Sequence, residues 1–500
     1  MIEQLKNINF SSIIELLAYD VNNPLLFNTG LFMFLFLGFL LIYQLTKRAF
    51  KLNCIFVILF SLYFYYKSSE YYCLIMLAIC FSDYEIGRLL GNTQSVKMRK
   101  FYVALNVISN ISILLYFKYF NLLLESFATI KSVDFEPLDI ILPAGISFIT
   151  FRSMSYIIDI YRQEIEPEKN FLNYTFFLSF FPPLLAGPVV RAKDFLPQIR
   201  LNKPATNDMM GEGFFMIMCG LIKKVVIADY IGTNFVDRVF DNPALYTGFE
   251  NIMGVLGYTI QIYCDFSGYS DMAIGLALVL GYRFKENFNA PYKSQNPSEF
   301  WHRWHISLST WLKDYLYIPL GGNRCGALRH SLNLIITMVI GGLWHGPSWM
   351  FAIWGIWTSS LMIIHKKLKK IFVLNEKQKQ QKWRIISNIA FTFILMSFSM
   401  VIFRAPSVEH ISDMFTQITT NFSAGTSLFL IIFASSYPFV AFGIFGGYIM
   451  HFCPKKWTIS LTNMFINTPM ICKAIIFALI LFIVIQTRQS EIIPFIYQQY

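Results

Sequence analysis

Charged residues are scarce in this sequence. Asp, Glu, Lys and Arg make up 14% of its 500 residues, whereas 55% are hydrophobic and 17% are aromatic. A water-soluble core does not need such an apolar excess, so the composition excludes a soluble globular protein. A window of about 19 residues finds roughly ten to twelve apolar segments between Leu31 and Ile485. The sequence therefore predicts a polytopic membrane protein.

The alternation of polar and apolar residues that marks a barrel strand is also missing. Backbone groups in lipid must pair within a helix or around a closed barrel, so an all-α fold is predicted. No soluble stretch is long enough for a separate domain. We expect one transmembrane domain over residues 1–500, with a core over about 30–410 and C-terminal spans over about 411–486.

Several kinds of site are missing as well. The eight cysteines show no paired spacing, which speaks against a zinc site and a disulfide framework. There is no H-E-x-x-H pair, no Gly-rich phosphate loop and no Ser nucleophile elbow. The segment before Asn28 lacks a basic n-region and a cleavage site, so no removable signal peptide is expected. We predict neither a metal nor a permanently bound cofactor.

Basic residues outnumber acidic ones, for a formal net charge of +11, and the excess lies in loops. Basic runs occur at 47–51, 97–100, 365–370 and 377–384, and the positive-inside rule places all four in the cytoplasm. The N-terminus and the last residues are then outside. The charge thus predicts membrane orientation and not a nucleic-acid partner. Early spans are predicted at 31–45, 55–66, 71–90 and 102–120, and late spans at 385–403, 428–450 and 470–486.

Two apolar stretches carry residues that do not suit a simple span. The segment 138–161 is long enough to cross but holds Arg152 and Asp159, and each needs a partner on another helix. The next stretch is interrupted at Pro182-Pro183 and again at Gly187-Pro188. Such breaks are tolerated at membrane depth only where protein or a wet cavity satisfies the backbone. This pattern predicts a re-entrant or broken helix.

Buried charges are predicted in two further runs. Lys223-Lys224 divide an apolar run in a similar way, and Asp265 and Asp271 flank Gly268 in a stretch that continues to Tyr282. An ionised carboxylate at that depth costs several kcal/mol unless it is paired or hydrated, which makes both Asp candidates for a functional site. A structural role, with each Asp accepting hydrogen bonds, is the alternative.

The stretch NAPYKSQNPSEFWHRWHISLSTWLKDYLYIPLGG, residues 289–322, concentrates imidazoles and indoles between long apolar runs. Asn296 is a good N-cap, Pro297 suits the first helical position, and Glu299 fits a capping box. Pro319 and the glycines after it end the segment. We predict a continuous amphipathic helix from Asn296 onwards.

That helix is expected to present distinct faces. His302, His305 and Ser309 line up beside the aromatic face, and Glu299 pairs with Arg303 one turn later. The alternative is an interfacial helix whose aromatics lie at headgroup level and whose histidines are merely solvated. The apolar face comprises Trp301, Trp304, Leu308, Trp311, Tyr315 and Ile318.

A further histidine lies in the middle of the apolar run 332–357. His345 follows Gly341-Gly342 and precedes Gly346-Pro347. The glycines let another backbone or a ligand approach, and Pro347 interrupts the helix locally. We therefore expect His345 to face an opening, although a hydrogen bond between helices is the alternative.

Histidine, buried and near aromatic walls, is suited to general acid and base catalysis. A hydroxyl must lose its proton to attack an acyl carbonyl, and we predict His345 as the base that accepts it. His305 could orient the acyl group, help the leaving thiolate or share the proton. The aromatic wall would exclude water and so suppress hydrolysis of an activated ester.

Several ordered segments resemble one protein family. The stretch from QIYCDFSGYSD to YIPLGGNR, together with GGLWHGPSW, is similar to the membrane-bound O-acyltransferase (MBOAT) family, in its bacterial branch for alginate and peptidoglycan O-acetylation. LPAGISFITFRSMSYIIDIYR, AGPVVRAKDFLPQI and LIKKVVIADY resemble the same branch. The resemblance implies a helical bundle around a tunnel that crosses the bacterial cytoplasmic membrane.

The resemblance also implies roles and partners. His345 matches the catalytic histidine of the family and His305 its second histidine. The donor would be an acyl thioester such as acetyl-CoA from the cytoplasm, and the partner a periplasmic SGNH-type O-acetyltransferase that modifies a cell-envelope polysaccharide. We assign to the substrate tunnel Trp301, Arg303, Trp304, Trp311, Asp314, Tyr315, Trp344, Asp265 and Asp271.

Two other functions remain open at this point. One is D-alanyl transfer to teichoic acid from a carrier-protein thioester, as in a sister branch of the family. The other is a non-catalytic transporter or flippase, because broken helices and buried charges also suit a passage. No paired repeat is visible, and two aromatic-flanked histidines are not what simple passage needs.

Overall fold

Helices make up all the regular structure of the part of the chain that the computed structural model describes. This part comprises residues 10–372, 375, 380–487 and 493–495, and it contains no β-strand. The predicted all-α fold class is confirmed. The predictions for the first nine residues, for most of the basic run 377–384 and for the last residues fall outside the described residues.

The chain divides into two compact units. The first takes in the described residues up to Ala186 together with Val190–Pro204. Its α-helices, within the described residues, are α1 (Phe10–Leu17), α2 (Gly30–Thr46), α3 (Phe50–Ser69), α4 (Cys73–Asn92), α5 (Val96–Leu114), α6 (Phe120–Lys131), α7 (Ile146–Tyr161), α8 (Phe171–Ser179) and α9 (Ala192–Leu201).

The second unit takes in Gly187–Val189 and the described residues from Ala205 onwards, apart from Ile493 and Pro494. The single domain expected from the sequence stays a prediction. The α-helices described in this unit are α10 (Asn207–Leu221), α11 (Asp237–Asp241), α12 (Gly248–Val279), α13 (Pro297–Arg303), α14 (Ile306–Leu312), α15 (Ala327–His345), α16 (Trp349–Ile371), α17 (Lys382–Arg404), α18 (Val408–Thr420), α19 (Phe429–Ser436), α20 (Pro438–Phe452), α21 (Lys455–Asn467) and α22 (Met470–Thr487).

Within the described residues, four helical stretches are long and apolar enough to cross a membrane, or five if the bent pair α19 and α20 forms one span. The pair bends by 100°, so the span predicted at 428–450 is broken. The 17-residue α2 is apolar but too short for this test, and the number of stretches that pass is below the ten to twelve apolar segments that the sequence predicted. The stretches that pass are Val96–Lys131, Ala327–His345, Lys382–Arg404 and Met470–Thr487.

The breaks predicted in the first half of the chain are only partly where the sequence indicated them. The chain is irregular between Ser179 and Ala192, and residues 180–192 are all buried, which confirms the broken helix at Pro182-Pro183. The segment 138–161, which is long enough to cross, is helical only from Ile146. Its Gly145 has a φ of +71°, and a Cβ there would lie 2.6 Å from the carbonyl oxygen of Leu184. The helix starts late because this backbone crossing requires a left-handed glycine.

Arg152 and Asp159 lie on α7 and are almost fully buried, as the sequence indicated. The identity of their partners stays a prediction. A separate buried carboxylate, Asp83, accepts hydrogen bonds from the Tyr174 hydroxyl at 2.7 Å and from Ser153 Oγ at 2.9 Å. These bonds tie together α4, α7 and α8, so the first unit satisfies a buried charge with neutral donors.

The long helix α12 organises the second unit. It begins with a complete capping box between Thr247 and Glu250 and continues for 32 residues. It packs closely against α10, because a Cβ on Gly220 would lie 2.5 Å from the carbonyl oxygen of Gly268. A Cβ on Gly213 would likewise lie 2.6 Å from the carbonyl oxygen of Gly275. The chain runs antiparallel there at a backbone separation that only glycine allows.

Lys223 and Lys224 do not divide their helix, which corrects the sequence prediction. The chain continues from α10 as a π-helix over Ile222–Asp229. The close packing against α12 brings Lys224 Nζ to 2.5 Å from Asp265 Oδ1 and 2.8 Å from Asp229 Oδ1. Because the charges are neutralised inside the protein, the helix can stay unbroken.

Candidate active site

The helix predicted from Asn296 onwards starts as expected but is not continuous. Asn296 Oδ1 accepts from the Glu299 amide at 2.9 Å, and Glu299 pairs with Arg303 at 2.8 Å. Then α13 ends at Arg303, and α14 begins only at Ile306. The prediction of an unbroken helix was wrong because His305 adopts the left-handed conformation, with a φ of +42°.

A neighbouring loop holds this break from both sides. The Asn289 amide donates to the carbonyl oxygen of Arg303 at 2.9 Å, and the Ile306 amide donates to that of Asn287 at 2.9 Å. A residue other than glycine is strained in the left-handed region and persists there only where its surroundings determine it. The loop 287–289 therefore sets the position of His305, and such strain is common at functional sites.

His305 lies in an aromatic enclosure and is 1% exposed. The ring of Phe266 contacts it edge-on at 4.6 Å between centroids, and that of Phe288 stacks at 6.4 Å. The indole of Trp344 lies at 6.1 Å. Asn287 Oδ1 lies 3.2 Å from Nδ1 of the His305 ring.

The apolar run around His345 forms a helical hairpin and not a single span. α15 ends at His345 and α16 begins at Trp349. A Cβ on Gly355 would lie 2.5 Å from the carbonyl oxygen of Met338, and one on Gly342 would clash with that of Phe351. Gly346-Pro347 turns the chain, in keeping with the local interruption expected at Pro347, and the glycines let both helices pack backbone to backbone.

His345 lies at the tip of this hairpin, where it is 4% exposed. Its ring contacts Trp344 at 5.2 Å, Trp354 at 5.4 Å and Phe403 at 5.2 Å between centroids. Since Trp344 also contacts His305, one indole packs against both histidines. The structure thus places two imidazoles that lie 40 residues apart in the chain against the same indole.

A cavity of about 260 Å³ opens beside His345. His345 and Trp301 are the predicted site residues that line it, whereas His305 does not. His302, Lys313 and Thr337 also line the cavity but were not predicted as site residues. Thr337 lies four residues before Gly341 on α15, so its i,i+4 spacing could have indicated it. The remaining lining residues are Ile306, Leu308, Ser309, Thr310, Leu312, Tyr317, Leu334, Met338, Gly341, Trp354 and Met362.

The other residues assigned to the tunnel do not line this cavity. Their place in a tunnel stays a prediction. Among the aromatic residues, Trp304 stacks on Phe300, Trp311 contacts Tyr315, and Trp344 contacts both histidines. Among the charged residues, Arg303 pairs with Glu299, Asp314 is half-buried, and Asp265 and Asp271 pair with Lys224 and Lys223.

Comparison with known proteins identifies the family of this chain. Residues 161–405, which include both histidines and the hairpin, match the model of the membrane-bound O-acyltransferase family. A protein of Azotobacter vinelandii named "Probable alginate O-acetylase AlgI" is 41% identical over 394 residues, which cover 77% of this chain and 76% of that protein. The chain belongs to the membrane-bound O-acyltransferase family.

Two further relatives extend the comparison. The peptidoglycan O-acetyltransferase of Helicobacter pylori is 37% identical over 437 residues, which cover 80% of each chain. The teichoic acid D-alanyltransferase of Bacillus subtilis is 28% identical over 282 residues, which cover 53% of this chain and 69% of that protein. The identity is higher with the O-acetylating relatives.

As a membrane-bound O-acyltransferase, the chain is an integral membrane enzyme that transfers acyl groups to oxygen. The alternative of a transporter without catalysis is therefore not supported. For an acyltransferase, a narrow apolar cavity with an imidazole at one end offers a place for an acyl chain and a base close to its carbonyl. The indoles of Trp344 and Trp354 pack against that imidazole.

Proposed function

We propose that this enzyme transfers an acetyl group from a cytoplasmic thioester, such as acetyl-CoA, for O-acetylation of a cell-envelope polysaccharide. The observation that carries the proposal is the cavity beside His345 in a chain whose relatives at about 40% identity are an alginate O-acetylase and a peptidoglycan O-acetyltransferase. The enzyme would act in the bacterial cytoplasmic membrane, with a periplasmic SGNH-type O-acetyltransferase as partner.

In the proposed reaction, His345 accepts the proton of the attacking hydroxyl. The hydroxyl oxygen forms a bond to the acetyl carbonyl carbon, the bond from that carbon to sulfur breaks, and the departing thiolate takes up the proton from the imidazole. Trp354 and Phe403 contact His345 and limit the orientations of its ring. No metal or further reactant is needed for the balance of this step.

The shape of the cavity supports delivery of the donor from one end of the hairpin. Its lining follows α15 from His345 back to Leu334, eleven residues that rise roughly 16 Å. Tyr317, which also lines the cavity, hydrogen-bonds through its hydroxyl to His330 Nδ1 at 2.9 Å. Beyond His330 lies a cluster of exposed basic residues at the far end of the hairpin: Arg324, Arg329, Lys366, Lys367, Lys369 and Lys370.

This basic cluster has the charge that a nucleotide-bearing thioester would need. Positive residues at the mouth of a cleft raise the local concentration of a polyanion and its association rate. The same residues mark the cytoplasmic side by the positive-inside rule, which agrees with a donor that arrives from the cytoplasm. The apolar cavity would then take the acyl end.

We expect the double variant Lys369→Glu and Lys370→Glu to raise KM for acetyl-CoA about five- to tenfold and to leave kcat within about twofold. KM rises because glutamates at the mouth of the cavity repel the negatively charged acetyl-CoA. The value of kcat changes little because His345 is not altered. Initial rates in proteoliposomes at low and high salt measure it, and the difference should shrink as salt screens the charges. The matched control, Lys47→Glu with Arg48→Glu, reverses two basic residues of the first unit and should leave KM unchanged. An equal KM in both double variants would contradict this account of donor binding.

The choice of donor tests the proposed function directly. Purified enzyme in lipid should consume acetyl-CoA in the presence of its acceptor and should not use a D-alanyl carrier-protein thioester. Preference for the carrier thioester would replace acetyl transfer with D-alanyl transfer, the activity named for the Bacillus subtilis relative.

A further inference from the structure

Asn287 is buried, at 1% exposure, and its side chain reaches His305 from the loop that holds the helix break. Four polar groups surround its amide. Asn287 Nδ2 donates to Ser270 Oγ at 3.1 Å, while Asn287 Oδ1 accepts from the Ser307 amide at 3.1 Å and from Ser307 Oγ at 2.8 Å. The fourth group is Nδ1 of His305, 3.2 Å from Asn287 Oδ1.

The backbone amide of Ser307 fixes which way the Asn287 amide points. An N–H can only donate, so the atom of Asn287 that faces it must be the oxygen. An amide oxygen in turn can only accept, so the nitrogen of His305 that faces it must carry the hydrogen. This geometry requires the neutral ring of His305 to be the Nδ1–H tautomer, with the lone pair on Nε2.

The hydroxyl of Ser307 could in principle reverse this assignment by donating to His305 Nδ1. The distances decide against it. Ser307 Oγ lies 3.5 Å from His305 Nδ1 but 2.8 Å from Asn287 Oδ1, so its proton points to Asn287. Ser307 Oγ itself accepts from the Val189 amide at 2.9 Å, which holds the hydroxyl in place.

We infer that Asn287 is a positioning residue that fixes His305 in the Nδ1–H tautomer, so that Nε2 of His305 acts as a proton acceptor in acyl transfer. This inference rests on the proposed function. A neutral Nδ1–H ring has no hydrogen on Nε2 to donate to an acyl carbonyl or a leaving thiolate. Of the roles that the sequence left open for His305, sharing the proton with His345 is the one that this tautomer permits. The proton that leaves the hydroxyl oxygen stays on the histidine pair until the thiolate sulfur takes it.

The test combines the tautomer with the kinetics. Ring-15N-labelled histidine in the full-length enzyme in lipid nanodiscs should show an Nδ1–H signal for His305, assigned by its absence in His305→Gln. In Asn287→Leu we expect this signature to be lost and kcat to fall about 10- to 100-fold, with KM for acetyl-CoA within about threefold. In Asn287→Asp, one carboxylate oxygen can still accept from His305 Nδ1, and Ser270 can donate to the second oxygen. The Nδ1–H signal of His305 and most of kcat should therefore be retained.

A matched control separates positioning from general damage. Asn251 is also fully buried on α12, where Nδ2 donates to backbone carbonyls such as that of Pro243 at 3.0 Å. Asn251→Leu should lower thermal stability and leave the His305 signature intact. An Nε2–H signal in the wild type would overturn the inference, as would unchanged kcat and tautomer in Asn287→Leu. If the Nδ1–H signal is present and lost in Asn287→Leu but acetyl-CoA is not a substrate, the positioning role stands and the proposed donor fails.

Discussion

Replacement of His345 by Ala should lower acetyl transfer by about 10²- to 10⁴-fold, the range that a positioned general base contributes. The His345 ring lines the cavity from the tip of the hairpin, and Ala has no side-chain atom that can accept the hydroxyl proton. Because the substitution leaves α15 and α16 intact, protein level and membrane insertion should stay normal. Acetylation of the envelope polymer in cells and turnover of acetyl-CoA by the purified enzyme measure the loss.

Two comparisons make this result specific. His410→Ala removes an imidazole from α18, where it contacts Ser407, and should leave turnover unchanged. His345→Gln keeps hydrogen-bonding capacity and volume but cannot act as a base at neutral pH, so it should be as inactive as His345→Ala. Near-wild-type acetylation in His345→Ala would remove His345 from the mechanism.

Local signals in the sequence predicted the beginnings and ends of helices well. Asn296 caps α13, Pro297 occupies its first position, and Glu299 pairs with Arg303, all as the pattern indicated. These features depend on residues within one turn of each other, so they can be inferred without knowing the fold. The carboxylate of Glu299 accepts from the Gln295 amide, one residue earlier than a standard capping box.

Tertiary contacts decided the features that the sequence did not predict. No residue type that breaks helices occurs in the sequence next to Trp304 and His305. The helix is interrupted there because the backbone of the loop 287–289 forms hydrogen bonds with Arg303 and Ile306. The hairpin of α15 and α16 likewise depends on how Gly342 and Gly355 meet the partner backbone. The sequence therefore predicted His345 and His305 as candidates but could not predict that Trp344 would pack against both.

For the charged residues of the second unit, the sequence likewise indicated the residues but not their partners. A position inside a long apolar run was enough to identify four buried charged residues, each independently of the others: Lys223, Lys224, Asp265 and Asp271. Their pairing depends on the register of α10 against α12, which the close glycine contacts set. Asp229, the second partner of Lys224, was missed for this reason.

Lys224→Met should cause the largest loss of stability of any single substitution considered for this protein, about 3–5 kcal/mol. Lys224 is fully buried between Asp229 and Asp265, and Met would leave two carboxylates in a low-dielectric interior without their cation. Since whole domains are stable by about 5–15 kcal/mol, we expect little folded protein in the membrane. Fluorescence-detected size exclusion and thermal unfolding in detergent measure it.

The neighbouring residue provides the matched control. Lys223 pairs with Asp271 at 2.6 Å, but their side chains are 15% and 23% exposed, so the carboxylate is less completely buried than Asp265 and its loss of a partner costs less. Lys223→Met should therefore cost far less than Lys224→Met, although both remove one positive charge from adjacent positions. Adding Asp265→Asn to Lys224→Met should restore part of the folded protein, because it removes one of the two stranded charges. Equal losses in the two lysine variants, with no recovery in the double variant, would show that general packing damage, and not the buried ion pairs, decides stability at this crossing of α10 and α12.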